Sequence, residues 1–520
     1  MTAPRITPAL TDRAVGALVG TAAGDALGAG YEFGPPLADD APVGMIGGGS
    51  FGWAAGEWTD DTSMAVPIAR AAARGADLRD PSTHDEIVAA WIDWARTAPD
   101  VGVQTRSVLS AAGALGGDAA AARRAAQQLH ERTGRSGGNG SLMRTAPVAL
   151  AHLGDPDAIA DAARAISGLT HYDDDAGDAC VIWSVAIGHA IVTGSLSIDV
   201  GIDALPAERR GRWAGLVREA EQSQPRDFDR NGWVVHALQG AWSSIHHAGV
   251  AVLETGAPRA TALRDGLERA VRGGRDTDTV AAIAGGMLGA VHGASATPAA
   301  WRRLIHGWPG LDTRGLTELA VQAVRGGELG TGDWPLGERM DYAGWGARAT
   351  LTAHPHDEGV LLGSIVDLDA VLDGSAGVQV DVVVSLCRVG RAQRAETHVE
   401  QWLIDDPTDG LNPNLDFVLA DTVDVIAELR GEGKTVLVHC VQAQSRTPSV
   451  AALYAARQFG VGVDEAFNAV GRAAGGATAG LPRRSGAATC QAGVIAYRRG
   501  LHSAERKLPN VGATVYAERR

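Results

Sequence analysis

The feature that most constrains this chain is a change of period a little past its middle. From about Ile6 to Gly326, apolar residues recur three and four positions apart, the spacing that lines one face of an α-helix. The pattern is clearest in Ala14–Ala29, Ser63–Arg74, His84–Ala95, Ala119–His130, Asp157–Ser167, Ala176–Thr193 and Val235–His247, separated by Gly- and Asp-rich loops. No sustained alternation marks a sheet there, so the expected fold of this half is all-α. A stretch from Gly327 to Gly359 is rich in turn formers and nearly aperiodic. Beyond it VQVDVVVSLC and TVLVH read as buried strands, while LDFVLADTVDVIAELRG and TPSVAALYAARQFG read as helices. Strand and helix alternating in this way predict a small α/β sandwich. The expected organisation is therefore multidomain: a helical domain over 1–335, a linker or domain entry over 336–358, an α/β domain over 359–505 and a tail over 506–520.

A chain of 520 residues is too long for one core. Aromatic residues are few and Ala and Gly are many, which predicts helices packed closely through small residues. A net charge of −15 argues against nucleic acid or an anionic membrane as the main partner. Cys180, Cys387, Cys440 and Cys490 are widely spaced and form no metal-binding or disulfide pattern. With Asp25 interrupting the one apolar run near the N-terminus, and the run Val280–Val291 too short to span a bilayer, a cytoplasmic location is expected.

Two segments far apart in the chain are unusually acidic. One is Trp58-Thr59-Asp60-Asp61-Thr62; the other is Gly273-Gly274-Arg275-Asp276-Thr277-Asp278-Thr279, and each opens a helical pattern. Any one of these residues has a plain explanation as a helix cap. Four together do not, because two carboxylates about 4 Å apart repel by roughly 4 kcal/mol at an effective dielectric near 20. Were the segments to meet, they would need protonation or a cation, and an all-oxygen set suits Mg²⁺ or Mn²⁺. Pro67 falls inside the helix that follows Asp60 and Asp61, where it should kink it.

These segments, with GTAAGDALG at 20–28, Glu32-Phe33, Gly138-Asn139-Gly140-Ser141-Leu142-Met143-Arg144, Thr170-His171 and Gly232-Trp233-Val234-Val235-His236, resemble the ADP-ribosylglycohydrolase family. The resemblance covers some three hundred residues with its blocks in order. It implies an all-α domain with a two-metal centre of Mg²⁺ (Mn²⁺ as the alternative) that hydrolyses the bond between ADP-ribose and an acceptor. By position, Thr59, Asp60, Asp61, Asp276, Asp278 and Thr279 would be metal ligands, with Asp60 and Asp61 also in the catalytic set. Glu32 would be a ligand or the acid/base. Gly138, Asn139, Gly140 and Ser141 would form the loop that holds ADP-ribose, with His171 near the ribose or diphosphate. Taken singly, His171 reads as a core histidine and Asp25 as a brace for the first loop. The acceptor (arginine, serine, a nucleic-acid base or a metabolite) is open.

In the second half, Thr435-Val436-Leu437-Val438-His439 leads into Cys440-Val441-Gln442-Ala443-Gln444-Ser445-Arg446-Thr447. Five residues between a thiol and a guanidinium, after a strand and before a helix, make a loop of phosphate size. Cys440 would be the nucleophile, Arg446 the phosphate clamp, and Ser445 and Thr447 supporting hydroxyls. This stretch resembles the dual-specificity (cysteine-dependent) phosphatases, which implies a phosphorylated substrate and a general acid upstream. Asp405, Asp406 and Asp409 fall in that window, and Asp406 is favoured. Ala443 stands where that family has Gly, a residue suited to positive φ. The alternative to two enzymes is an ADP-ribose-binding module that controls the second domain.

Overall fold

The computed structural model describes residues 4–406, 408 and 410–473. They form two compact units. The first comprises 1–254, 259–297 and 304–329; the second comprises 255–258, 298–303 and the residues from 330 on.

The first unit is helical apart from a two-residue strand pair, His306–Gly307 with Leu311–Asp312. Four of its helices matter most here: α1 (Pro8–Gly28), α2 (Asp60–Ala73), α3 (Asp174–Thr193) and α4 (Thr277–His292). Helix α3 is long and apolar enough to cross a membrane, but 83% of its apolar window is buried inside the fold, as in a core helix. Pro67 does not end α2, which continues to Ala73. The Trp91 indole N–H donates to the Met64 carbonyl in the same stretch, at 2.9 Å.

The expected small-residue packing is concentrated between α1 and α4. Gly16, Gly20, Gly24 and Gly28 recur every fourth residue along α1. A Cβ at these positions would lie 2.2, 2.3, 2.0 and 2.4 Å from backbone atoms of Gly289, Gly285, Ala281 and Asp278. The two backbones therefore touch directly, and nothing larger than hydrogen fits between them. The Thr277 hydroxyl donates to the Gly28 carbonyl at 2.9 Å, fixing the first turn of α4 against the last turn of α1. That register carries Asp278 to Asp25.

The second unit is built on a five-stranded sheet: β1 (Thr352–His354), β2 (Asp357–Gly363), β3 (Val382–Ser385), β4 (His398–Glu400) and β5 (Val436–His439). Spatial order is β1-β2-β5-β3-β4; β1 and β2 are antiparallel and the remaining neighbours parallel. Every residue of β3 and β5 is buried, as expected for parallel strands covered on both faces. Alternate residues Val382, Val384, Val436 and Val438 pack with α6 (Leu415–Gly431) and α7 (Arg446–Phe459). Val383 and Leu437 face Ile365 and Leu368 of the short helix Ile365–Leu372. One boundary differs from the reading above. The stretch expected as linker already contains β1 and the start of β2, and the main segment of the second unit begins at residue 330.

Candidate functional site

In the first unit, three chain segments converge at the N-termini of α2 and α4. Thr59 precedes α2, but its hydroxyl does not cap the helix; it donates to Asp61 Oδ2 at 2.9 Å. The cap comes instead from Asp25 on α1. Asp25 Oδ1 accepts from the Thr59 N–H at 2.8 Å, and Oδ2 accepts from the Thr62 N–H at 2.9 Å and its hydroxyl at 2.7 Å. Asp25 is thus the brace the sequence suggested, acting on the loop that carries Asp60 and Asp61.

The acidic segments do meet. Carboxylate oxygens of Asp25, Asp61 and Asp278 lie within 4.8 Å of one another, and so do those of Glu32, Asp276 and Asp278. Asp278 belongs to both triads. Glu32 Oε2, Asp61 Oδ1 and Asp278 Oδ1 are buried and have no hydrogen-bond partner among the described residues. Burial, reinforced by mutual repulsion, holds Asp60, Asp61 and Asp278 well above the usual carboxylate range. Burial and the charges of Asp276, Asp100 and Asp60 push Glu32 up to about 9. Carboxylates crowded in this way, with lone pairs aimed at no donor, are chemically suited to a hard divalent cation. Thr279 is buried beside Asp278. Asp60 stands slightly apart, its Oδ2 accepting from the Gly102 N–H at 3.3 Å.

Glu32 reaches the cluster through a strained contact. The Phe33 N–H donates to the Arg275 carbonyl at 2.6 Å and the Arg275 N–H to the Gly34 carbonyl at 2.7 Å. Phe33 and Arg275 both have positive φ, 64° and 66°, a conformation that side chains other than Gly and Asn seldom adopt. The pair locks Glu32 beside Asp276.

The Gly138–Gly140 loop lies against the same cluster. Asn139 Nδ2 donates to Asp276 Oδ2 at 2.8 Å and to the Asn231 carbonyl at 2.9 Å. The His171 ring sits directly on the two glycines, where added Cβ atoms would come within 3.3 Å of it. Burial holds His171 well below its usual pKa, hence neutral. Arg144 Nη2 donates to the Thr170 hydroxyl, and that hydroxyl meets His171 Nδ1, both at 2.7 Å. When the Thr170 hydroxyl donates to Nδ1, the ring proton lies on Nε2, beside Gly138 and Gly140. Ser141 takes a different place from the one expected. Its fully buried hydroxyl accepts from Cys180 Sγ at 3.5 Å, so it packs the loop onto α3 and is not a ligand-facing group.

Sequence reading missed three participants. Asp100, raised to about 6 by burial and by Asp276, is a further acid of the cluster. It lies in no repeated acidic pattern, and its one signal is the Gly102 turn that reaches Asp60. Gln104 ties the Ser136 and Thr170 carbonyls together at 2.9 and 3.0 Å. Asn231 joins the Asn139 loop to Gly274 and Asp276, and it stands one residue before the block at Gly232.

In the second unit, Cys440 follows β5 and Arg446 opens α7, as anticipated. Cys440 is buried, and Ser445 Oγ and Thr447 Oγ1 are buried with no partner among the described residues. Arg446 Nη1 donates to the carbonyls of Leu386 and Leu403 at 3.0 and 2.7 Å. Burial pushes His439 down to about 3, so it is neutral, and Nε2 meets the Ser385 hydroxyl. Ala443 has φ 57°, the strained conformation its position implied. Asp406, the acid favoured above, makes a local contact. Its carboxylate accepts from the Thr408 N–H at 2.8 Å and hydroxyl at 2.6 Å in a local turn. Asp405 faces the loop instead, 3.5 Å from Arg446 Nη2. Asp409 and Cys490 lie outside the described residues.

The family model for ADP-ribosylglycohydrolase matches residues 6–330. ADP-ribosylarginine hydrolase Tri1 of Pseudomonas putida (strain GB-1) is 30% identical over 305 residues, covering 56% of this chain and 73% of its own. The ADP-ribosyl-(dinitrogen reductase) glycohydrolase of Rhodospirillum rubrum is 28% identical over 315 residues, covering 56% and 90%. Among solved structures, human DUSP28 aligns over 30% of this chain and 97% of its own, at 20% identity and a TM-score of 0.23. With the matched residues spanning the whole helical unit and both acidic segments, the chain belongs to the ADP-ribosylglycohydrolase family.

Proposed function

We propose that the helical unit hydrolyses the glycosidic bond joining ADP-ribose to an acceptor, with an arginine side chain the first acceptor to test. The observation that carries this reading is the pair of carboxylate triads, one buried and one half-buried, that share Asp278. The all-oxygen donor set suits two divalent cations, Mg²⁺ or Mn²⁺, held by Asp60, Asp61, Asp276 and Asp278 with Thr59 and Thr279. When bound, such cations supply neutralising charge and a water that ionises near neutral pH. The chain's own groups do the rest. Glu32, beside Asp276 and Asp278, takes a proton from the attacking water or passes one to the departing acceptor atom. Asn139, the open backbone of Gly138 and Gly140, and the His171 Nε2–H orient ADP-ribose. The sugar then develops oxocarbenium character against an anionic wall. The named activity of the Tri1 relative supports arginine as the acceptor.

The test is ADP-ribose release from arginine-, serine- and base-linked conjugates, with Mg²⁺, with Mn²⁺ and with chelator. Release should need the cation and fall at least about a hundredfold in Asp278→Asn, which disrupts both triads. Tight ADP-ribose binding without release from any linkage would leave a nucleotide-binding regulatory module.

For the second unit we propose phosphate monoester hydrolysis. Cys440 Sγ attacks phosphorus, Arg446 and the N-terminus of α7 hold the phosphate oxygens, and Asp405 protonates the leaving oxygen. The unpartnered Ser445 and Thr447 hydroxyls favour this reading. Turnover of p-nitrophenyl phosphate that is abolished by Cys440→Ser is the expected result; turnover that survives it would refute the assignment.

A further inference from the structure

We propose that Phe33, Ile46 and Phe51 form the acceptor-side docking surface of the helical unit, seating a basic protein segment with an apolar side chain next to its ADP-ribosylated residue. The inference rests on the glycohydrolase reading above and adds the class of substrate.

The first ground is position. Phe33 directly follows Glu32, the residue assigned to the leaving-group proton, and so stands at the edge of the carboxylate cluster. The residue is 64% exposed, and its backbone, at φ 64°, is held by the hydrogen bonds that Phe33 and Gly34 make with the Arg275 backbone. A glycine or asparagine would adopt that φ with less strain. Retaining a bulky aromatic in an uncomfortable conformation, next to the reacting atoms and facing water, marks a side chain kept for contact.

The second ground is that Phe33 is not a scattered surface residue. Its ring meets Phe51 edge-on at 6.3 Å, and Phe51 meets the buried Trp53 at 6.0 Å. Ile46, also 64% exposed, lies over Gly30, where an added Cβ would be 2.8 Å from its Cγ1. All four side chains come from the segment linking α1 to α2, the one that delivers Glu32 and Thr59 to the cluster. Phe33 and Phe51 form an exposed apolar pair, Ile46 adds a second exposed apolar side chain from the same segment, and exposed apolar surface of this kind beside a site marks a binding face.

The third ground is charge. There is no Lys or Arg between Arg13 and Arg70, while Glu32, Asp39, Asp40 and Glu57 lie in the linking segment itself. Three arginines reach the segment and none is free at its surface: Arg226 pairs with Asp39, Arg272 donates to the Ala41 carbonyl, and Arg275 pairs through its backbone with Phe33 and Gly34 while its Nη1 is buried. A basic segment with an apolar side chain complements this ledge; a small free conjugate would leave it in water.

The test uses the full chain with Mg²⁺ or Mn²⁺ and three probes. They are free ADP-ribosyl-arginine and two peptides modified on arginine, one flanked by Leu and Lys, the other by Ser and Glu. Wild type should show a KM roughly tenfold lower for the Leu/Lys peptide than for the Ser/Glu peptide. Phe33→Asn, which suits the positive φ, and Phe51→Ser should collapse that ratio towards one. Leu253→Ser, an exposed apolar residue elsewhere in this unit, should leave the ratio intact. Equal KM values for both peptides, with free ADP-ribosyl-arginine turned over, would overturn the docking surface and leave the glycohydrolase standing. No release from any of the three would overturn both. Loss of self-association in Phe33→Asn with an unchanged ratio would assign the ledge to a second copy of the chain and overturn the proposal.

Discussion

Replacing Gly20 by Ala tests whether direct backbone contact between α1 and α4 builds the carboxylate cluster. The new Cβ would lie 2.3 Å from the Gly285 carbonyl oxygen and 3.0 Å from its carbon. Ordinary contact begins near 3.4 Å, so the helices must separate by about 1 Å, and neither side has a flexible side chain to yield. In an exposed helix, Gly→Ala stabilises by roughly 0.5–1 kcal/mol. Here overpacking against backbone costs about 3 kcal/mol, leaving a net loss of about 2 kcal/mol and, for a unit of this size, a melting point lower by roughly 3 °C. The same shift displaces Asp25 relative to Asp278, so affinity for Mn²⁺ should weaken with stability. Gly215, within the helix Ala207–Gln222, has nothing within 4 Å of its ideal Cβ; Gly215→Ala is the matched control and should be neutral or stabilising. Thermal melts with and without chelator, and Mn²⁺ titration by calorimetry, give both readouts. If Gly20→Ala melts within a degree of wild type, the close approach does not govern this core and the argument fails.

Further outcomes follow from the same geometry. With Glu32 raised to about 9, the folded metal-free protein keeps a proton that the unfolded chain loses near its ordinary pKa of 4.5. Stability in chelator should therefore fall as pH rises from about 4.5 to 9, and melts of Glu32→Gln across that range should show a shallower slope. Divalent cation, displacing that proton, should flatten the wild-type slope, and a profile indifferent to cation would count against a cation site there. In the second unit, Asp405→Asn should lower kcat for p-nitrophenyl phosphate by roughly a hundredfold while Asp406→Asn stays within about twofold; the reverse order would restore Asp406. Ala443→Gly should relieve the strain at φ 57°, raising unfolding stability by about 0.5 kcal/mol once the added freedom of the unfolded chain is subtracted, as read by urea denaturation.

Local pattern carried the elements and some of the site, and it failed where distant backbones decide the geometry. Residues 415–431 read as an amphipathic helix and are α6 from end to end, because turn formers at 410–414 and 432–434 bound the periodic run. Strands β1 and β2 were hidden: the first is three residues at a sheet edge, and the second begins with Asp-Glu-Gly before its apolar half. Asp60, Asp61, Asp276 and Asp278 were visible as acid density, but that Asp278 serves both triads depends on the Gly28–Asp278 approach. Asp100 had no motif to announce it. Asp405 and Asp406 are adjacent and chemically equivalent in sequence; a two-residue turn onto Thr408 separates their roles. Ser141 sits inside the right block, yet its side chain turned to Cys180.

Backbone strain separates these cases further. Among the described residues, positive φ outside glycine occurs at Phe33, Arg275 and Ala443, and each lies within a candidate site: beside Glu32, beside Asp276, and inside the Cys440–Arg446 loop. Ordinary turns in this chain give that conformation to glycine, so a larger residue is retained at a cost of about 1 kcal/mol or more. At Phe33 and Arg275 that cost supports substantial side chains next to acids of the cluster, and exchange for glycine should raise stability while lowering turnover of protein conjugates. At Ala443 a methyl group offers nothing to recognise. Strain without a contact to justify it means a loop under weaker demand, so glycine there should raise stability and phosphate turnover together. Opposite signs of the stability–activity relation at the two sites would separate strain that serves binding from strain that is merely tolerated.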